Sequence, residues 1–371
     1  MPHHWRLARD YLVRWLGQER RNRSTLANTS MRRYTATIRP CWPARGDPKW
    51  PSTQGRAPQI PTNMTTTSTK FRPGSLDDSY AIFHLFEESL ADLARRLGHT
   101  GAMSIDDPDA LAAMWTRRRS LYEHLARSAD QFWLAEQDGE VVGFSRSIVR
   151  DGHWELTELF VKPGVQSAGL GRELLRRAAP TGPVASKLIV ASPDVRAQSL
   201  YMKLGTYPRF PIYYFWREPQ EVAVETDLVF EPVTASAEVL ESLAAIDREV
   251  LGFCRDADHG WLLGDRQGYL YRRAGLVVGY GYEGRSNGPF ALLEPADWPT
   301  VLAHAEFTAA RAEHKSGRGH FGVETPMANT AAVDYLLGRG YQIDDFIAQT
   351  MIDRPFGRFD RYIVTSPPLF V

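Results

Sequence analysis

Hydrophobic and polar positions follow two different periods along this chain, and the periods predict its strands and helices. Alternating apolar and polar residues, or a short apolar run, are typical of a strand, whereas a period near 3.6 is typical of an amphipathic helix. From residue 70 to residue 218 the pattern predicts the order β-α-α-β-β-β-α-β-α-β. The predicted strands are 70–74, a hairpin over 131–149 around Asp138-Gly139, 153–161, 186–192 and 208–218. The predicted helices are 75–98, 107–128, 169–179 and 194–204.

The second half of the chain repeats this order more faintly. "GLVVGYGY" in a predicted hairpin over 268–284 matches "GEVVGFSR" in the first hairpin. Further on, Asn329 and Gly340 flank a predicted helix at the spacing of Asp194 and Gly205 in the first half. Such self-similarity is typical of a duplicated structural unit.

Two copies of one unit account for the length of the chain. We predict an α/β (α+β) fold with two tandem domains over 69–219 and 226–371, joined near 219–226. Each domain is expected to be a mixed, mostly antiparallel sheet flanked by helices.

The first 68 residues differ from the rest in composition. Residues 1–70 carry thirteen Lys and Arg but only three acidic residues, and the stretch over 39–70 has no hydrophobic period. This composition predicts a disordered basic tail over 1–68. The tail is a flexible arm, an Arg-rich targeting segment, or sequence upstream of a true start at Met64.

Composition also limits the function classes. Two cysteines cannot form a disulfide framework, no Cys/His cluster has metal-ligand spacing, and no apolar run reaches eighteen residues. Because the basic residues are concentrated in the tail, the rest of the chain is acidic, which disfavours nucleic-acid binding. We therefore expect a cytoplasmic protein with no metal, no membrane association and no nucleic-acid partner.

The stretch "VKPGVQSAGLGRELL", 161–175, lies between a predicted strand and a predicted helix. A helix N-terminus presents unpaired N–H groups and the positive end of the helix dipole, and a glycine-containing turn before it forms an anion nest. Gly169 and Gly171 leave the backbone uncovered at this point. The pattern is typical of a pyrophosphate site.

This stretch, with "SPDVRAQSLYMKLG" after it, resembles the GNAT family, the Gcn5-related N-acetyltransferases. Gln166, Gly169 and Gly171 match the motif [QR]-x-x-G-x-[GA] of that family. The resemblance covers about 71–217 well and 226–353 weakly. It implies that the first domain is a catalytic N-acetyltransferase domain and that the second is a degenerate copy.

The resemblance also implies a set of cofactor-binding residues. Acetyl-CoA is expected as co-substrate, with its pyrophosphate on the loop and its pantetheine arm along the end of the preceding strand. The residues expected to bind it are Leu159, Phe160, Val161, Gln166, Ser167, Ala168, Gly169, Leu170, Gly171 and Arg172.

Acetyl transfer to an amine requires proton transfers. An alkylamine with a pKa near 10 must lose a proton before it attacks, and the departing thiolate benefits from a proton donor. At the position where the family often has a tyrosine facing the thioester sulfur, this chain has Tyr201, the candidate acid. Glu155 and Glu158 are candidate bases, and regular alternation would place them on opposite faces of the strand. Glu158 is the preferred candidate, with a water relay to the amine.

Two further stretches allow a structural or a functional interpretation. The run "TRRRS", 116–120, is either a solvated helix face or a surface that meets an acidic acceptor. The aromatic run "YYFW", 213–216, is either core or a wall of an acceptor pocket.

The second copy lacks the glycine pair and has Leu336 where the first has Tyr201, so we expect a structural role or a share of the substrate cleft. The acceptor is a primary amine of a small molecule or a protein. Alternative functions are a non-catalytic acyl-CoA sensor and an acyltransferase with a longer donor.

Overall fold

The computed structural model describes residues 68–98, 107–165, 169–222, 225–312 and 320–370. Residues 1–67 of the predicted tail lie outside this description. The described residues belong to one compact unit that runs from Thr65 to Val371. The helices are α1 Ser79–Leu97, α2 Pro108–Ser128, α3 Leu170–Ala178, α4 Val195–Lys203, α5 Ala237–Val250, α6 Asp256–Asp265, α7 Trp298–Arg311 and α8 Thr330–Gly338.

The strands alternate with these helices in two similar series. They are β1 Lys70–Pro73, β2 Gln131–Gln137, β3 Glu140–Arg150, β4 His153–Val161, β5 Ser186–Ala191, β6 Tyr207–Arg217, β7 Val229–Val233, β8 Gln267–Arg273, β9 Leu276–Glu283, β10 Phe290–Leu292, β11 Phe321–Pro326, β12 Gln342–Ile343, β13 Ala348–Ile352 and β14 Tyr362–Ile363. The mixed α/β fold and the predicted order of elements are confirmed. Helix α6 and the three short strands near the end of the chain were not predicted.

Local sequence signals explain several element boundaries. Asp107 caps α2, because its carboxylate accepts hydrogen bonds from the N–H groups of Asp109 and Ala110 and Pro108 occupies the first helical position. At the β2–β3 turn both Asp138 and Gly139 have positive φ, as the Asp-Gly pair predicted.

The large sheet contains strands from both halves of the chain. Its order is β1-β2-β3-β4-β5-β13-β6-β11, with β12 also paired to β6. Strand β13 from the second half lies between β5 and β6, and β6 in turn pairs with β11. The two halves therefore exchange strands. The predicted domain boundary near 219–226 stays a prediction, since the large sheet crosses it.

The smaller sheet belongs to the second half and has the order β14-β10-β9-β8-β7. Strand β10 pairs with β9 on one edge and with β14 on the other. Val364, directly after β14, forms a bridge to Glu324 in β11. Strand β14 thus lies between β10 and β11, the two strands that correspond to β4 and β5 in the first half.

A shared hydrophobic core joins the halves. Leu125, Ile148 and Ile212 of the first half pack in one buried cluster with Leu262 and Tyr280 of the second. None of the described helices is both long enough and apolar enough to cross a membrane.

Candidate active site

The candidate site begins where β4 and β5 diverge. These parallel strands pair from His153↔Ser186 to Leu156↔Ile189, and β4 then continues to Val161 without pairing to β5. The β5-facing edge of Leu159 and Phe160 is therefore not used in the sheet. Unpaired N–H and C=O groups on such an edge can hydrogen-bond an extended chain with amide groups, such as a pantetheine arm.

A glycine turn leads from this strand into α3. Gly169 is the N-cap residue of α3 and has a φ of 81°, in the left-handed region that glycine adopts without strain. The first N–H groups of α3, from Leu170, Gly171 and Arg172, are free of intrahelical partners by position in the helix. This arrangement fits a pyrophosphate. Gln166, Ser167 and Ala168 lie outside the described residues.

The prediction that Glu155 and Glu158 lie on opposite faces of β4 is wrong. The consecutive β3 residues Arg146 and Ser147 pair with Glu158 and Leu156 of β4. Thr157, between these two β4 residues, therefore has no partner on β3 and is an extra residue in the strand. Glu155 pairs with Ile148. This β-bulge shifts the alternation by one position. Both glutamates consequently lie on the face of the sheet that α1 and α2 cover.

Glu158 is closed off from solvent in an ion pair with Arg146. The two side chains are both 0% exposed, and Nε of Arg146 donates to Oε2 of Glu158 at 2.6 Å. Burial raises the pKa of Glu158, and the charge of Arg146 offsets this only in part. Oε1 of Glu158 has no hydrogen-bond partner among the described residues.

Glu155 is buried and does not line the cleft described below. Its charge acts on Tyr362 of the second half. Burial is the main cause that raises the pKa of the Tyr362 hydroxyl, and the charge of Glu155 raises it further. Glu155 therefore faces the contact between the halves.

Tyr201 of α4 lies beside the divergence of β4 and β5. It packs in a buried cluster with Leu156 and Ala191 and lines the cleft. Burial, with a smaller contribution from Asp194, raises the pKa of its hydroxyl well above the usual value. Tyr201 therefore stays protonated at neutral pH, as a proton donor must.

A cleft of about 1730 Å³ extends from these strands to the second half. Its wall includes Tyr201 and Leu159 from the first half and Glu324, His320 and Arg285 from the second. Tyr214 of the aromatic run also lines it, with its hydroxyl 3.2 Å from Nε2 of His320, whereas Phe215 is core. The cleft is thus built from both halves.

Charge is distributed unevenly along the cleft. The described lining residues from the first half include six basic and three acidic side chains, and those from the second half include two basic and four acidic ones. A net positive first half suits the phosphates of an acyl-CoA, and a net negative second half suits a cationic acceptor. The first-half residues are Arg96, Arg117, Arg118, Arg172, Arg196, Lys203, Glu87, Glu158 and Asp194; those of the second half are Arg266, Arg285, Asp265, Glu324, Asp344 and Asp345.

Sequence reasoning missed Glu87 of α1, a carboxylate that lines the cleft together with Glu158 of β4. Arg118, within the run "TRRRS", donates to Oε1 of Glu87. The signal that could have found Glu87 is its position on the same helix face as Leu90, Ala91 and Ala94, which also line the cleft. Among the described residues, no group of His, Cys, Asp and Glu is arranged to hold a metal ion.

Comparison with known proteins agrees with this geometry. A sequence model of the acetyltransferase (GNAT) family matches residues 101–206, which include the glycine turn and Tyr201. This part of the chain is thus similar to the GNAT acetyltransferase family. Acyl-CoA-dependent acetyl transfer is the activity that goes with the family.

Three relatives show how far the likeness extends. Mycothiol acetyltransferase of Streptomyces avermitilis is 39% identical over 80 residues, which are 20% of this chain and 26% of that protein. The match thus spans about a quarter of that relative's length. A Pyrococcus horikoshii protein proposed to be an acetyltransferase has a similar structure, with a TM-score of 0.61 and 16% identity over 82% of this chain and 97% of its own.

The third relative is a fungal multi-domain GH3 beta-N-acetylglucosaminidase with a GCN5-related glucosamine N-acetyltransferase region. Its TM-score is 0.52 at 14% identity, over 78% of this chain and 38% of its own. At these identities the two structures show a common fold. That GNAT fold extends over both halves of the present chain, in two tandem copies.

Proposed function

We propose that this chain transfers an acetyl group from acetyl-CoA to a primary amine, which attacks the thioester directly. The observation that carries the proposal is the divergence of β4 from β5 between the Gly169 turn and Tyr201. These three features supply an edge for the pantetheine arm, N–H groups for the pyrophosphate and a proton donor for the sulfur.

The cofactor-binding residues and Tyr201 each have a definite role in this proposal. Residues 159–161 hold the arm, and residues 166–172 hold the pyrophosphate. Tyr201 donates a proton to the thiolate as the C–S bond breaks. Positioning and acid–base assistance together supply the rate, since no covalent enzyme intermediate is required.

The acceptor enters from the second-half side of the cleft. That wall carries more acidic than basic residues, and an amine is a cation at neutral pH. The volume of the cleft leaves room for an acceptor as large as a sugar or a polyamine beside the cofactor arm.

Two measurements test the proposal. Calorimetric titration of acetyl-CoA into the protein should show binding, and thiol release should then follow addition of an amine. The amine panel contains glucosamine, which is named for the fungal relative, together with spermidine and a lysine peptide. Binding without thiol release from any amine would favour the acyl-CoA sensor, and faster release from propionyl- or succinyl-CoA would favour a longer acyl donor.

A further inference from the structure

Three carboxylates of the first half lie near the end of β4, and they differ in access to the cleft. Glu158 also lines the cleft, but its side chain is 0% exposed and is tied to Arg146. Glu155 is buried and does not line the cleft. Glu87 lines the cleft, and its side chain is 7% exposed. An acceptor in the cleft can therefore reach Glu87 without a rearrangement of the sheet.

Contacts with neighbouring aromatic residues fix the place of Glu87. The preceding residue, Phe86, packs on Phe160 of β4 with ring centroids 4.7 Å apart. Phe160 belongs to the strand end that faces the cofactor arm in the proposed function. Glu87 follows Phe86 in α1 and lines the same cleft as Phe160.

We propose that Glu87 is the catalytic carboxylate that contacts the acceptor amine and takes its proton. The inference rests on the proposed function and names a residue for a step that the function requires. Arg118 from α2 donates to Oε1 of Glu87 and fixes its orientation, so that the other oxygen is available to the ammonium group.

Charged groups around Glu87 favour a proton acceptor. Burial raises the pKa of Glu87, and the Arg118 guanidinium lowers it by less. Behind them, the Tyr122 hydroxyl is fully buried, and its pKa is raised first by burial and also by the charges of Glu158 and Glu87. Arg146 completes this group from β3. A carboxylate with a raised pKa accepts a proton more readily at neutral pH than an ordinary one does.

The proton balance of the reaction is simple. The ammonium group gives one proton to Glu87, and the freed lone pair forms the C–N bond to the thioester carbonyl carbon. The C–S bond breaks with its electron pair on sulfur, which takes a proton. Loss of a second proton from nitrogen leaves the amide, free CoA thiol and one proton released to solvent.

The test compares Glu87→Gln with Glu158→Gln in the whole protein, with glucosamine as the probe acceptor. Glu88→Gln is the matched control, because Glu88 is on the same helix, does not line the cleft and acts on Lys162 instead. Thiol release is followed from about pH 6 to about pH 9 at saturating acetyl-CoA, and acetyl-CoA binding is measured by calorimetry.

We expect Glu87→Gln to lower kcat about 100-fold and to remove the acidic limb of the pH profile, with acetyl-CoA affinity unchanged. Glu87→Asp should restore the limb in part, and Glu88→Gln should behave as wild type. The proposal is overturned if Glu87→Gln keeps the wild-type pH profile, whether or not its rate falls. An inactive wild-type protein would instead refute the proposed function itself, and the role of Glu87 with it.

Discussion

Val364 donates its backbone N–H to the carbonyl oxygen of Glu324 at 3.2 Å, across the space between β10 and β11. In the first half the corresponding space lies between β4 and β5, which diverge and leave an open edge. In the second half β14 pairs with β10 and fills that space with the chain's own backbone. Asn329 secures the strand, because its side-chain amide donates to the carbonyl oxygen of Tyr362 at 3.2 Å.

This contact predicts one acyl-CoA site per chain. Among the described residues of the second copy, β14 occupies the edge of β10 that corresponds to the open edge of β4, so a pantetheine arm could enter there only if β14 left the sheet. Calorimetric titration with acetyl-CoA should therefore give a stoichiometry near one. A stoichiometry near two would show that β14 is displaced by the ligand.

The backbone conformation of Gly169 predicts that Gly169→Ala weakens acetyl-CoA binding. Its φ of 81° costs a side-chain-bearing residue roughly 1–2 kcal/mol, so Gly169→Ala should shift the turn that presents the N–H groups of α3. We expect acetyl-CoA affinity to fall about tenfold, a change that calorimetry measures directly. Gly139→Ala is the control, since Gly139 has a φ of 82° in a hairpin away from the cleft. Equal losses of affinity in both variants would indicate a general loss of stability.

Gly171 should tolerate the same change better. A Cβ at this position would meet nothing closer than Val161 at 3.8 Å, which is an ordinary contact. Gly171→Ala should therefore keep acetyl-CoA affinity within about threefold of wild type, because it preserves the helix. A loss as large as that of Gly169→Ala would mean that the ligand approaches the Cα of Gly171 itself.

The sequence predicted the parts of this fold that depend on near neighbours. Strand β4 has its predicted bounds of 153–161, and the Asp138-Gly139 turn has the predicted geometry. The bulge at Thr157 was not predictable from alternation, because it depends on how β3 pairs with β4. The strand exchange through β13 depends on partners that are more than a hundred residues away in sequence.

The residues of the candidate site also differ in whether the sequence alone could predict them. Tyr201 and Gly169 stand in contiguous motifs, and the structure places both at the divergence of β4 and β5. Glu87 stands in no motif, and only the packing of α1 on β4 brings it to the cleft. Side chains that meet through tertiary packing leave no local signal in one sequence.

Tyr201→Phe should separate catalysis from binding. A tyrosine hydroxyl is protonated at neutral pH, and burial raises the pKa of this one further, so Tyr201→Phe deletes a proton donor and little else. We expect kcat to fall about 100-fold, with acetyl-CoA affinity nearly unchanged in calorimetry. Tyr207→Phe, at an exposed tyrosine on β6, is the control. If thiol release by Tyr201→Phe matches that of wild type, Tyr201 is not the acid.

Asp258 links the halves and predicts an acid-sensitive contact between them. This fully buried side chain in α6 accepts hydrogen bonds from Arg150 of β3 at 2.7 and 2.8 Å, and Nε2 of His124 in α2 lies 2.7 Å away. Burial raises the pKa of Asp258, but the hydrogen bonds from Arg150 and His124 outweigh burial and hold it well below the usual value.

A depressed folded-state pKa stabilises the protein at pH values above the unfolded-state value of about 3.9, and this contribution is lost as pH falls below about 4. Asp258→Asn leaves Arg150, whose side chain is only 12% exposed, without its charge partner, so it should lower the free energy of unfolding at neutral pH by up to about 3 kcal/mol. Urea unfolding at pH 7 and near pH 3 measures both effects, with the exposed Asp256→Asn as the control. The variant should lose less stability than wild type between these pH values, because one titrating carboxylate is gone. If Asp258→Asn and wild type lose the same free energy of unfolding between pH 7 and pH 3, Asp258 is not the source of the acid sensitivity.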